Sequence, residues 1–113
     1  MTRSVSFARL GATEVVRLAG EIDLANASEV GREIARRTAA AEAVLLDLTG
    51  VSFLDSAGVR LLDILVGDLD DRGTPIRLVV GAAGVARMTL QLCAFRDDLL
   101  VADLDRAADE LGR

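Results

Sequence analysis

Residues 44–48, Val44-Leu45-Leu46-Asp47-Leu48, form a short, strongly apolar run of strand type. After Gly58 the pattern turns helical, with Leu62, Leu65, Val66 and Leu69 recurring at the spacing of a single helix face. A strand that hands over to a helix, more than once along one chain, restricts the fold severely. Strands separated by helices of this length pair in parallel through right-handed crossovers.

The alternation extends to both sides of this unit. Val5 to Leu10 reads as a first strand, Gly11-Ala12 as a turn and Glu14 to Ala19 as a second strand, together an antiparallel hairpin. Asp23 stands where a helix should start, and Ala27, Val30, Ile34 and Ala35 mark its apolar face. Glu29, Arg32, Glu33, Arg36 and Arg37 lie opposite, with Glu33 and Arg37 in the favourable i,i+4 order, and read as a solvated face. The strand Ala43 to Leu48 comes next. The helix after it stops at Asp70-Asp71-Arg72-Gly73-Thr74-Pro75, where Gly and Pro are the stop signals. Ile76 to Val80 is a further strand, leading through Gly81 into a helix from about Ala83 to Cys93. Leu99-Leu100-Val101 then leads into a last helix from Asp103 to Leu111. The expected architecture is one α/β domain over residues 1–113, with a mixed, mostly parallel sheet of about five strands and about four helices.

Composition narrows the function classes. The chain has 113 residues, 51% hydrophobic and 27% charged, which suits a compact domain with its own core and not a disordered tail. Aromatic residues make up only 3%, with no Trp or Tyr, so the core is built from Leu, Val, Ile and Ala and no base-stacking surface is expected. A net charge of -5 argues against a phosphate-backbone partner, so direct nucleic-acid binding is not expected. A lone Cys93 cannot form an internal disulfide and, among Leu90, Leu92, Ala94 and Phe95, reads as a small core hydrophobe. The first residues lack the apolar stretch of a signal peptide. The run Leu78 to Ala86, broken by two glycines, falls far short of the roughly 20 residues of a membrane helix. A cytoplasmic protein without membrane insertion is expected.

The segment with chemical interest is Asp47-Leu48-Thr49-Gly50-Val51-Ser52-Phe53-Leu54-Asp55-Ser56-Ala57-Gly58. It places a hydroxyl beside a carboxylate where a strand turns into a helix, and either Ser56 or Asp55 can cap that helix by accepting from a first-turn N–H. The hydroxyl then lies near the surface, with the positive end of the helix dipole behind it. Asp23 either caps the first helix or lies near the Ser56 loop, since both occupy the same kind of strand-to-helix edge. Enzymatic readings lose their chemistry. A serine nucleophile needs a base, and the chain has neither His nor Lys; an aspartyl-phosphate at Asp55 or Asp23 needs a magnesium cluster that the spacing does not supply. Gly81-Ala82-Ala83-Gly84 follows a strand but is neither a phosphate loop nor a dinucleotide fingerprint, and reads as a tight turn. No enzymatic activity, metal site or cofactor is expected.

Gly20-Glu21-Ile22-Asp23, Asp47-Leu48-Thr49 and Phe53-Leu54-Asp55-Ser56-Ala57-Gly58, in this order and spacing, resemble the STAS domains of bacterial anti-sigma factor antagonists. The likeness covers nearly the whole chain. It implies partner switching: the unphosphorylated protein binds an anti-sigma factor that is also a serine kinase of the histidine-kinase-like ATPase fold, and so frees a sigma factor. Phosphorylation of the serine after the aspartate, here Ser56, blocks that binding, and a metal-dependent serine phosphatase restores it. ATP and magnesium belong to the kinase. The resemblance further implies that Asp23 orients the Ser56 hydroxyl, and that Asp23, Asn26, Asp55, Ser56, Ala57, Gly58, Val59 and Arg60 form the docking surface. Ala57 stands where many relatives carry Ser or Thr, which leaves Ser56 as the acceptor of this loop, with Thr49 and Ser52 nearby. The turn after Val80 lacks a Pro often seen there. A second member role, an adaptor subunit of a transport or sensory complex, shares the fold without the switch.

Overall fold

The computed structural model describes residues 4–82, 84–93 and 95–111. A single five-stranded sheet runs through the molecule in the order β1-β2-β3-β4-β5. Its strands are β1 (Ser4–Leu10), β2 (Thr13–Ile22), β3 (Ala43–Leu54), β4 (Ile76–Val79) and β5 (Leu100–Val101). Only β1 and β2 pair antiparallel; the other three ladders are parallel. The hairpin turns on Gly11, whose φ of 65° lies in the left-handed region that glycine adopts without a Cβ clash. Each parallel connection carries a helix: α1 (Ala27–Arg37), α2 (Ser56–Asp71) and α3 (Val85–Leu92), with α4 (Leu104–Glu110) following β5.

Strand parity divides the core. Val16 and Leu18 of β2, Val44, Leu46 and Leu48 of β3, and Ile76 and Leu78 of β4 pack with the buried stripes of α1, α2 and α3. Residues of opposite parity, Val15, Leu45, Val79 and Val101, form a smaller cluster closed by Ala107 of α4. Arg77 on that second face reaches Glu110 of α4 at 3.0 Å. The α2 stripe is buried as the helical spacing predicts, at Leu61, Leu62, Leu65, Val66 and Leu69. Arg72 at its end donates to the carbonyls of Ala39 and Thr38, tying α2 to the chain leaving α1.

Several boundaries differ from the sequence reading for identifiable reasons. β2 and β3 each run on, to Ile22 and Leu54, through register shifts next to Gly20 (φ 86°). Past Leu48 the buried positions of β3 are Val51 and Leu54, a spacing of three that a bulged strand permits and strict alternation does not. The helix after it starts at Ser56, ahead of Gly58. α1 starts at Ala27, four residues after Asp23, because a turn over residues 24–26 intervenes. Ala35 is exposed and not on the core face. Arg37 lies over the Phe7 ring, 4.2 Å from its centroid, rather than on Glu33. Cys93 is exposed, not a core residue: α3 uses its inward face at Ala86 and Leu90, and Cys93 is the cap where the chain turns away. The Ala83 start of that helix lies outside the described residues; its first described residue is Val85, after the cap Gly84.

Candidate functional site

The parallel order brings the β2–α1 loop and the β3–α2 junction side by side at one sheet edge, at the carboxyl ends of adjacent strands. Asp55 joins them. With extended backbone (φ -98°, ψ -173°) it is the N-cap of α2, and its Oδ1 accepts from Gly58 N–H at 3.0 Å. Oδ2 accepts from Leu24 N–H of the facing loop at 3.1 Å. Asp55 N–H itself points at the Ile22 carbonyl, at 3.4 Å. The cap is therefore the aspartate, which leaves the serine free.

Ser56 is the first residue of α2 and is exposed. Its hydroxyl forms no hydrogen bond with any described residue. Gly58 is buried, and a Cβ there would stand 2.5 Å from Leu54 Cδ1 and 2.9 Å from the Ile22 carbonyl oxygen. The close approach of α2 to the end of β2 requires glycine. Ala57 and Val59 are half-buried against the main core, while Arg60 is exposed.

Asp23 and Asn26 organise the facing loop. Asp23 Oδ1 accepts from Ala25 N–H at 3.0 Å, and Asn26 Oδ1 accepts from Asp23 N–H at 3.1 Å. Asn26 Nδ2 donates to the Glu21 carbonyl at 2.9 Å. Asn26, not Asp23, occupies the cap position of α1, and it makes no side-chain bond to that helix. Among the described residues no hydrogen bond links Asp23 to Ser56; the contact between the loops runs through Asp55 and Leu24. Asp47, in the second motif, accepts from the Thr49 N–H and hydroxyl and meets Arg17 at 3.3 Å, a brace for β3 where its register shifts.

The sequence did not single out Leu24 or Ile64, and Arg32 reads there only as part of a solvated helix face. Leu24 is 82% exposed at the loop tip, and Ile64 is 55% exposed on α2. Both line an open groove of about 460 Å³ between α1 and α2, with Arg32 on one wall and Ala57 and Arg60 at its Ser56 end. One signal was available for Ile64: it is an apolar residue outside the Leu62, Leu65, Val66, Leu69 stripe.

A family model described as STAS domain matches residues 7–108. The chain belongs to the STAS domain family. A STAS-type α/β fold with a mixed five-stranded sheet and four helices is thus what both its sequence and its structure carry. Among curated proteins it is similar to Osmosensory protein A of Mycobacterium tuberculosis, with 34% identity over 74 residues, 66% of this chain; the match spans about half of that protein, 47% of its length. The fold is shared with an anti-sigma factor antagonist from Mycobacterium paratuberculosis at a TM-score of 0.85 and 24% identity, over 99% of this chain and 96% of that one. It is shared as well with the Bacillus cell fate determinant SpoIIAA in its phosphorylated form, at 0.72 and 19%, over 97% and 100% of the two chains. No helix among the described residues is long and apolar enough to cross a membrane.

Proposed function

We propose that this STAS domain is a phosphorylation-switched anti-sigma factor antagonist, acting in the cytoplasm and without catalysis of its own. The observation that carries the reading is Ser56: an exposed hydroxyl, without a hydrogen bond to any described residue, on the first residue of a helix whose cap role is already filled by Asp55. A serine placed for structure would spend its hydroxyl on the cap; this one is left for an incoming group. In the proposed cycle the unmodified surface around Asp23, Asn26, Asp55, Ser56, Ala57, Gly58, Val59 and Arg60 docks an anti-sigma factor that is also a serine kinase, and a sigma factor is released. Ser56 Oγ then forms a bond to the γ-phosphorus of ATP held with magnesium by the kinase, ADP leaves, and the hydroxyl proton passes to a base on the kinase. Hydrolysis by a serine phosphatase returns the hydroxyl and free phosphate.

Phosphate adds about -1.5 to -2 charges beside Asp23 and Asp55, at a surface the partner must desolvate. Interference at the interface is expected, with little rearrangement of the domain. The test is affinity capture from native lysate with wild type, Ser56→Ala and Ser56→Asp as baits. A histidine-kinase-like ATPase retained by wild type and Ala but not by Asp supports the switch. Recovery of one transport or sensory complex by all three baits would overturn it in favour of an adaptor role.

A further inference from the structure

We propose that Arg60 reads the modification state of Ser56, pairing with the phosphate once it is added and leaving the groove wall that it otherwise lines. The inference rests on Ser56 being the phosphoacceptor. Ser56 and Arg60 are both on α2 in the i,i+4 relation, which places their side chains as neighbours on one helix face. The acidic member would be N-terminal to the basic one, the more favourable order. Arg60 is exposed and has no hydrogen bond or ion pair with any described residue, so no described partner has to be given up. Most of the other described arginines are committed: Arg17 meets Asp47, Arg37 lies over Phe7, Arg72 binds carbonyls after α1, Arg77 and Arg106 hold Glu110, Arg87 binds the Gly81 carbonyl and Arg96 bridges Asp70 and Asp98.

The charged residues that line the groove are Arg32 from α1 and Arg60 and Asp68 from α2, while Asp23 and Asp55 belong to the two loops next to Leu24 at its Ser56 end. Both oxygens of Asp55 are already bonded to N–H groups of Gly58 and Leu24. In the unmodified state Arg32 and Arg60 stand on facing walls of an apolar groove that begins at Ala57, two cations available to a docked partner on a chain of net charge -5. In the phosphorylated state Arg60 has the phosphoserine four residues before it and the Asp63 carboxylate three residues after it on α2, and the phosphate, at about -1.5 to -2 charges, is the stronger of the two anions. One modification thus adds negative charge to the surface and removes a cation from it.

The experiment is a phosphorus NMR titration of protein with phosphoserine installed at position 56 during synthesis, in wild type, Arg60→Ala, Arg60→Lys and Arg32→Ala backgrounds, at low salt. Any contribution of the α2 N-terminus is common to all four and cancels. The second phosphate pKa should be lower in wild type than in Arg60→Ala by roughly 0.15 to 0.4 pH unit, with Arg60→Lys close to wild type and Arg32→Ala unchanged. Far-UV circular dichroism checks that each variant is folded. Superimposable wild-type and Arg60→Ala curves overturn the pairing, as does an Arg60→Lys curve that follows Ala, or an Arg32→Ala curve displaced as far as that of Arg60→Ala. Because the phosphate is installed without a kinase, this result is separate from the switch itself, which fails if a cognate kinase leaves Ser56 unlabelled.

Discussion

Asp55 accepts the Leu24 N–H at 3.1 Å across 31 residues of sequence, while its other oxygen holds Gly58 N–H at 3.0 Å. One carboxylate therefore sets both the start of α2 and the position of the neighbouring loop, which makes it the positioning element of the Ser56 surface. Asp55→Ala should cost about 1–2 kcal/mol of stability, the usual loss on removing an N-cap, and should also release the Leu24 loop. Asp55→Asn keeps one acceptor oxygen for two donors, so only one of the two contacts survives. Urea unfolding gives the stability, and amide exchange at Leu24 and Gly58 tells which contact is lost. Unchanged exchange at Leu24 in Asp55→Ala would show that the loop holds itself in place.

Gly58 and Gly67 lie on the same helix and should respond oppositely to alanine. At Gly58 the new methyl meets Leu54 Cδ1 at 2.5 Å, which can swing away, and the Ile22 carbonyl oxygen at 2.9 Å, which is backbone and cannot. Gly58→Ala should destabilise by about 1–3 kcal/mol, through overpacking, despite the gain in helix propensity. Gly67 is exposed, with nothing within 4 Å of its built Cβ, so Gly67→Ala should stabilise by about 0.5–1 kcal/mol. Denaturant midpoints measured side by side decide both, and a stable Gly58→Ala would mean that α2 can shift away from β2.

Arg96 bridges Asp70 at the end of α2, at 2.6 Å, and Asp98 before β5, at 3.1 Å. Its hydrogen bond holds the Asp98 carboxyl below the ordinary carboxylate range, and bonds to Asp98 and Asp70 raise the guanidinium in turn. For a depressed carboxyl the stabilising contribution is present above its unfolded-state value and is lost as pH falls through the folded value. The group is fully exposed, so the contribution is screened and small. Carbon NMR titration of Asp98 should show its midpoint return to the ordinary range in Arg96→Ala; an unmoved midpoint would assign the depression to another cause.

The alternation of strands and helices was legible because each segment carries one clear period: the Val44 to Leu48 run and the Leu62 to Leu69 stripe lie where they were expected, and the Ile76 to Val80 run does so with its strand ending one residue earlier, at Val79. The second half of β3 was not. The sequence pattern ends that strand at Leu48, and pairing with the equally irregular end of β2, around Gly20, continues it to Leu54. That extension is what carries Asp55 to the edge beside Leu24. The serine and the aspartate were visible as a pair, but their division of labour was not, since both residue types cap helices and only the backbone at Asp55 separates them. Of the two places open to Asp23, the cap of α1 is taken by Asn26, and the Asp23 carboxylate closes a turn onto Ala25 in the loop facing α2. Leu24 carries no periodic signal in a three-residue turn and needed the fold to be seen as a surface.

Because the Ser56 hydroxyl has no hydrogen bond to any described residue, a last prediction concerns stability rather than binding. Ser56→Ala removes no hydrogen bond to a described residue and buries nothing, so its unfolding free energy should stay within about 0.5 kcal/mol of wild type. Ser56→Asp puts a negative charge in the first turn of α2, where it should be neutral or stabilising by about 0.3–1 kcal/mol at low ionic strength, less the repulsion from Asp55. Thermal melts of the three proteins test this directly. If both variants melt with wild type, a loss of partner binding in Ser56→Asp reports the charged surface and not a damaged domain. A drop of several degrees in Ser56→Ala would instead reveal a structural task for the hydroxyl and weaken its reading as a group held ready for modification.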